Sequence, residues 1–312
     1  MRFFRYFAGI KFKQNRIHVA TTGAEIKIDI AFWKSAASVI QIYFYFLARR
    51  IKQIFTRPQV FGTIVSYPQT PGPWYTIWQV MRLAGLRRTD DMRSADYIFI
   101  FEDKTFAEFE ANALKNFDAK LINYSVRDIS KNHVGDVFKS VFGYPIRVDP
   151  LRYHGPAICK SNANGTHDGV VINLPIERAD VSEQHTYQRL VDSVFQDGVS
   201  EDLRIAYVLG EIALVYHKYK PLGDRFGTDY LKVDIKHPSD VFSKEEIELI
   251  IQFCKRMGLD FGAVDVMRDK NDGRIYIVDV NKTCMPVLSL DLKTQIQCQK
   301  KIANAFRRRL LA

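Results

Sequence analysis

Cysteine is scarce in this 312-residue chain. Cys159, Cys254, Cys284 and Cys298 are the whole set, and no two stand close enough to make a CxxC pair. That excludes a zinc ribbon and a thioredoxin-type motif. Four scattered thiols in so long a chain fit a reducing compartment, the cytoplasm, better than a disulfide scaffold. Long apolar runs are absent too. The longest uncharged apolar stretch is residues 35–48, 14 residues between Lys34 and Arg49, whereas a membrane-spanning helix needs about 20. It starts too far into the chain, and lacks the small-residue cleavage site, for a secretory signal. No GxxxxGK followed by Ser or Thr occurs, which excludes a P-loop. No internal repeat or low-complexity segment stands out. Acidic residues are in deficit, 35 against 45 Lys and Arg, for a net charge of +10. The deficit is local. Residues 1–58 carry 11 Lys and Arg against Glu25 and Asp29, a net +9, and residues 291–312 carry six against Asp291, a net +5. The rest of the chain is then at −4, which argues against a nucleic-acid-binding body, because such a body carries its positive charge on the folded surface.

What is present is globular material. Hydrophobic residues at 47% and charged residues at 26% rule out a wholly disordered chain. The length suits two domains or one large composite. Trp33, Ile40, Tyr43, Phe46 and Leu47 fall on a first helix that runs into Arg49, Arg50, Lys52 and Arg57. Two readings stay open for it: a core or interface helix, or a peripheral helix on an anionic membrane surface. Arg57-Pro58 breaks this region. Residues 61–67 then read as a buried strand, 74–84 as a helix closed by Gly85, and 95–101 and 120–124 as further strands. This spacing predicts a small α/β unit with parallel strands. Beyond residue 145 short strands follow one another at about 157–160, 169–173, 186–191, 203–209 and 211–218, which predicts antiparallel pairing with Gly210-Glu211 as one turn. Ser243 and Glu246 form a capping box for a helix carrying Ile247, Ile250, Ile251, Cys254 and Met257, closed by Gly258. Strands at 261–267 and 274–280 flank a polar turn, and a last helix runs from about 292 to 309.

The most informative stretch is 258–286, GLDFGAVDVMRDKNDGRIYIVDVNKTCMP. Asp265 falls in its first strand. Asp279 and Asn281 fall in the second, two residues apart and so on one face. Antiparallel pairing through the turn brings Asp265 across from Asp279. Two carboxylates and an amide then converge, with positions left for phosphate oxygens and water, a set that suits Mg²⁺ or Mn²⁺. The alternative is a polar row on a solvent face. Ile277, Val278 and Val280 around it favour the first reading, because polar groups in an apolar strand need partners. A second stretch, 156–171, PAICKSNANGTHDGVV, is a strand ending in Lys160, a small-residue loop, His167-Asp168-Gly169 and another strand. It reads as a phosphate cradle of one lysine and backbone N–H groups, or as a plain hairpin turn. His167 reads as a capping residue or as a contact to a γ-phosphate or acceptor. In a third stretch, Asp202-Leu-Arg204 puts Arg204 among the candidate phosphate ligands. Lys218 and Arg225 are candidates for a substrate carboxylate, and equally readable as solvated charges.

In this order the three stretches resemble the ATP-grasp superfamily, over about residues 127–290 and most strongly over 258–286. Members include D-alanine–D-alanine ligase, glutathione synthetase and the ribosomal-protein glutamate ligases. The Asp202-x-Arg204 stretch ending at Gly210 is most similar to the last. The resemblance implies an α+β fold with an α/β N-terminal part: two α+β subdomains gripping a nucleotide, preceded by a small parallel-sheet domain. It divides the chain into a basic amphipathic segment (1–58), the preceding α/β domain (59–126) and the ATP-grasp domain (127–312). The small lobe of that domain falls at about 145–187 and the metal-bearing core at about 188–312. It implies ATP, with Mg²⁺ on Asp265, Asp279 and Asn281, and it puts the small-lobe lysine at Lys160. The adenine hinge falls on Gln188, Arg189, Leu190 and Val191, with Asp192 and Lys218 beside the nucleotide. Lys131 and Lys139 compete for the family's earlier lysine. Arg204 would meet the acyl-phosphate or γ-phosphate.

The implied reaction is ATP-dependent joining of a carboxylate to an amine or other nucleophile through an acyl phosphate, with Lys160, Arg204 and His167 as the catalytic candidates. Relatives that phosphorylate instead keep a phosphotransferase open as an alternative, and a nucleotide-binding scaffold is the third reading. The chain departs from the family at three places. Asp279 stands where most relatives have Glu, the SNANGTHDG loop is not Gly/Ser-only, and Lys282-Thr-Cys-Met-Pro286 replaces the usual Pro-Gly. These departures bear on the substrate more than on the nucleotide. The basic start, with no peptide-acceptor signature, points to a small-molecule or glycan-linked substrate, a cell-surface glycan precursor or natural product, at the inner face of a membrane. A homodimer is left open, and nucleic acid is not an expected partner.

Overall fold

The computed structural model describes residues 10–13, 16–19, 24–56, 59–166, 168–225, 227 and 230–312. The chain forms two compact units, residues 1–124 with 283–312, and residues 125–282.

In the first unit, β1 (Ile10–Lys13), β2 (Arg16–Val19) and β3 (Ala24–Lys27) make a three-stranded antiparallel sheet. A single helix, α1 (Ile30–Thr56), follows. It extends well past the apolar 35–48 stretch because Lys34, Arg49, Arg50 and Lys52 interrupt the hydropathy but not the backbone, and it contains neither Gly nor Pro. Then come β4 (Gly62–Pro68), α2 (Thr76–Leu83), β5 (Leu86–Arg88), β6 (Tyr97–Phe101) and β7 (Lys120–Ile122). The four strands pair in parallel in the order β5-β4-β6-β7, which is the expected α/β unit. Ile98, Phe99, Ile100 and Phe101 are all buried, as a parallel strand covered on both faces requires.

The second unit opens with α3 (Lys131–Phe142), capped by Ser130, whose Oγ accepts the His133 N–H at 3.3 Å, and closed by Gly143 at φ 81°. A first antiparallel sheet has the order β10-β8-β9, from β8 (Gly155–Ser161), β9 (Val170–Leu174) and β10 (His185–Arg189). A larger one is built from β11 (Val194–Gln196), β12 (Val199–Val208), β13 (Glu211–Pro221) and β14 (Lys232–Lys236). After α4 (Lys244–Arg256) it adds β15 (Phe261–Arg268) and β16 (Ile275–Asn281). Its order is β14-β13-β12-β15-β16, with β11 on β12, and every pairing is antiparallel. The expected turn near Gly210 falls on Leu209-Gly210, both at positive φ, between the paired Val208 and Glu211. The expected capping box on α4 is present.

One face of the large sheet is the core of this unit. Leu203, Ile205, Val215, Val264 and Val280 pack with Val137 and Phe138 of α3 and Ile250 and Phe253 of α4. Each such side chain contributes about 1.5–3 kcal/mol on burial. The opposite face carries the polar side chains of Asp202, Arg204, Lys218 and Asp265 beside the buried Ala206, Leu214, Tyr216 and Ala263. The chain ends in α5 (Leu292–Leu311), whose Ile296 packs with Trp78, Ile42 and Phe46. Helix α5 belongs to the first compact unit, and its apolar face is buried there.

Candidate functional site

The polar face of the large sheet gathers Arg204, Lys218, Asp265, Asp279 and Asn281 from the residues singled out above. Strand periodicity puts Asp202 and Arg204 of β12 on one side, with Lys218 and Lys220 of β13 beside them. The register pairs Asp202 with Lys218, Arg204 with Asp265, and Asp265 with Asp279. A β-bulge at β16 matters here. Asp265 pairs with Asp279 but Val266 pairs with Ile277, so Val278 is the extra residue. Without it, Ile277 and Asp279 would share a face. With it, Ile277 joins the core while Asp279 stands across from Asp265, a re-aiming that bulges commonly perform.

At one end of this row, Arg204 grips Asp265 with both prongs, Nε to Oδ1 and a terminal nitrogen to Oδ2, each at 2.7 Å. Lys218, only 2% exposed, lies 3.6 Å from Asp265 Oδ1 and 2.5 Å from Asp202 Oδ1. Lys220 completes the pairing at 3.1 Å from Asp202 Oδ2. The Tyr230 ring lies 5.3 Å from the Lys218 ammonium and 5.4 Å from that of Lys220. Burial alone would raise the Asp265 carboxyl, but Arg204 and then Lys218 outweigh it and hold the group well below the usual carboxylate range. For Lys218 burial works downward, and Asp265 and Asp202 overcome it, so the ammonium is held above its ordinary value.

The other end behaves oppositely. Burial pushes the Asp279 carboxyl up, and Asp265 adds to the push, while the ammonium groups of Lys131 and Lys160 pull the other way. Asp279 Oδ1 is buried and has no hydrogen-bond partner. Lys160 donates to the Val278 carbonyl at 3.3 Å, and burial pushes its ammonium down to about 8 against the attraction of Asp279. Lys131 is the first residue of α3 and is buried. Its Nζ donates to the Ala163 carbonyl and its backbone N–H to the Asn162 carbonyl at 3.0 Å, so the loop after β8 is fastened to the start of α3. Between the two lysines left open by the sequence, the structure brings Lys131 to the cluster. Lys139 is exposed two turns further along the helix.

The remaining candidates separate. Gln188 is buried and its side-chain Nε2 has no hydrogen-bond partner. Arg189 turns to Tyr276 Oη at 2.7 Å and to Asp269 at 3.2 Å, with its guanidinium 4.8 Å from the Tyr276 ring centre, so its side chain ties β10 to β16. Leu190 donates its N–H to the Pro156 carbonyl at 3.4 Å, Val191 belongs to the core, and the Asp192 carbonyl accepts the Lys270 N–H at 2.8 Å. Burial lowers the half-buried Arg225 guanidinium despite the nearby Asp192. His167 lies outside the described residues. Its neighbour Asp168 accepts from Thr166 Oγ1 at 2.8 Å and from the Ser161 N–H at 3.1 Å. Asp202 as an anchor for two lysines, Lys220 and Tyr230 were not read from the sequence. The period-2 spacing of Lys218 and Lys220 was the signal available for one of them.

The chemistry of the donor set can be tested against a divalent cation. An unsatisfied buried carboxylate oxygen on Asp279, with Asp265 opposite and Asn281 two residues on, fits one. Asp265 is already neutralised by Arg204 and Lys218, so a cation shared by both carboxylates competes with those two side chains. No group of three or more His, Cys, Asp or Glu placed to hold a metal occurs among the described residues. The third donor here is the amide of Asn281.

No family model matches the sequence, and no curated protein matches it. Solved structures do match. A RiPP-associated ATP-grasp ligase from Chryseobacterium gregarium, in complex with ADP and a leader and core peptide, overlaps 78% of this chain and 96% of its own at 11% identity and a TM-score of 0.51. A RimK-domain ATP-grasp protein from Sphaerobacter thermophilus overlaps 80% and 100% at 10% identity, TM-score 0.47. D-alanine–D-alanine ligase from Bacillus anthracis, complexed with ATP, overlaps 80% and 96% at 12% identity, TM-score 0.46. The first of these overlaps, at a TM-score of 0.51, shows the fold that the parallel sheet and the antiparallel sheets of this chain build: the chain has the ATP-grasp fold.

Proposed function

We propose that this chain is an ATP-dependent ligase that joins a carboxylate to an amine. The carrying observation is the row Arg204–Asp265–Asp279 on one sheet face, with Lys131 and Lys160 at its end and Lys218 behind it. Buried cations of this density have little use in a stable core and suit a polyphosphate. In this reading Lys131 and Lys160 hold phosphate oxygens. Backbone groups of Gln188 to Val191 hold the base. Arg204 steadies charge on the transferring phosphoryl group. Asp265, Asp279 and Asn281 would hold Mg²⁺, which supplies charge neutralisation at the phosphates when bound.

The substrate carboxylate attacks the γ-phosphorus and the bond to ADP breaks, its electron pair leaving with ADP. The amine then attacks the acyl carbon, phosphate leaves and one proton is lost. A peptide is the first substrate class to screen, with the peptide complex of the C. gregarium ligase as guide, beside glycan-linked and small-molecule carboxylates.

The test is a thermal shift with ATP, with and without Mg²⁺, on wild type and Asn281→Ala. A ligand at 100 times its Kd stabilises by about 2.7 kcal/mol through mass action. The expected result is a Mg²⁺-dependent rise in Tm that the variant largely loses. A folded protein with no shift under any condition would overturn the reading. Hydroxylamine added during turnover separates ligase from phosphotransferase, since only an acyl phosphate is trapped as a hydroxamate.

A further inference from the structure

Helix α1 has two apolar faces, and the first unit uses one of them. Ile42 and Phe46 are buried against Trp78 and Ile296, with the Phe46 and Trp78 rings edge to face at 5.2 Å. The other face carries Trp33, Ile40, Phe44, Leu47, Ile51 and Phe55, all exposed, from 39% at Leu47 to 81% at Phe55. Their spacing of 7, 4, 3, 4 and 4 residues keeps them in one stripe along the helix, about 33 Å long at 1.5 Å per residue. At 100° per residue, Lys34 and Lys52 fall on one shoulder of the stripe and Arg50 on the other, and all three are exposed. A stripe this large on a free surface marks an interaction site.

We infer that this stripe lies on an anionic lipid surface, with α1 in the plane of the membrane. Charge selects the occupant. Ile30–Thr56 holds four Lys and Arg and no Asp or Glu, so a second copy of the same helix would bring like charge to both shoulders. Anionic headgroups match them. The shape agrees, with bulky apolar side chains, Trp and Phe among them, between basic flanks. The helix does not cross the bilayer, since among the described residues no helix is long and apolar enough to do so. The inference does not depend on the reading of the nucleotide site.

Co-sedimentation of the full chain with phosphatidylcholine vesicles, with and without 30% phosphatidylglycerol by design, reads it directly. The wild type sediments with the anionic vesicles and about tenfold less with the neutral ones. The double variant Phe44→Glu/Ile51→Glu loses at least tenfold in binding, whereas Val170→Glu, an exposed apolar residue of β9, binds like wild type. Both variants keep the wild-type circular dichroism and its melting profile, because the substituted side chains are exposed. Absence of sedimentation, or sedimentation that the double variant leaves unchanged, overturns the inference. So does a wild-type dimer in light scattering that the double variant converts to monomer, which assigns the stripe to a second copy. ADP release by the double variant reports on the nucleotide site separately.

Discussion

Asp265 shows how differently one residue serves stability and chemistry. It receives two charge-assisted hydrogen bonds from Arg204 and lies near Lys218. Removing one partner of such a partly buried pair strands the others, at a cost of about 3 kcal/mol. Asp265→Asn is therefore expected to lower the unfolding free energy measured in urea by that amount without any nucleotide present. The double variant Arg204→Met/Asp265→Leu, which removes both charges, recovers most of the loss. If the single variant is as stable as wild type, the pair has no structural weight and the geometry has been misjudged. The carboxylates and Asn281 were legible in the sequence because they sit in one hairpin, where strand periodicity and a short turn fix who faces whom. The role of Asp202 was not, and Lys131 stood in the sequence only as one of two candidates, beside Lys139. Asp202 acts through side chains on another strand. Lys131 reaches the site only because α3 starts there, and α3 is a helix whose pattern is interrupted by Gly135. A Cβ at Gly135 would lie 2.6 Å from the Arg147 side chain. A packing requirement thus overrides a helix propensity that disfavours mid-helix glycine by about 1 kcal/mol.

At the scale of elements, α4 was readable to its ends, and the structure adds why its start is strong. Ser243 Oγ accepts the Glu246 N–H at 3.2 Å, and Glu246 Oε2 accepts the Ser243 N–H at 2.9 Å. Arg268 of β15 then binds both oxygens of Glu246, at 2.7 and 2.9 Å, locking the first turn of the helix to the sheet. Burial would raise the Glu246 carboxyl, but Arg268 and the Ser243 N–H lower it on balance. A carboxyl whose folded value lies below its unfolded value stabilises above the unfolded value, and that contribution fades as pH falls through the folded one. Chemical denaturation should therefore find Glu246→Gln less stable than wild type by about 1 kcal/mol at pH 7, discounted for partial exposure. The gap should narrow below about pH 4.5, the ordinary range of a Glu carboxyl. A gap that is constant from pH 7 to pH 3 would mean the charge contributes nothing. The sheet β1-β2-β3 was not read from the sequence, although Ile10, Phe12, Ile17, Val19, Ala24 and Ile26 alternate with polar residues and pair across the strands, because runs of four residues are too short for the period to stand out.

For the whole molecule, the order of the chain and the order of packing part company at its end. The family pattern carries the eye from 127 to 312 as one domain. The apolar core of the second unit, however, draws every member from Val126 to Val280. The core around Ile42, Phe46 and Trp78 recruits Ile296 from α5. Sequence patterns tell which face of α5 is apolar, but not which partner buries it, since helix faces carry no address. This division has a consequence for truncation. Ending the chain after residue 291 removes Ile296 and Phe306, both buried in the full chain, and losses of this kind cost about 2–5 kcal/mol for each large side chain. That is enough to unfold a unit of ordinary stability. The second unit keeps its core intact. Limited trypsin digestion of the truncated chain is thus expected to destroy residues 1–124 quickly and leave a protected fragment bounded near 125 and 282, identified by mass spectrometry. In the full chain, cleavage within 30–124 is at least tenfold slower. A truncated chain whose first 124 residues stay as resistant as before would show that α5 is dispensable to that core, and equal loss of the 125–282 fragment would show that the two units stand or fall together.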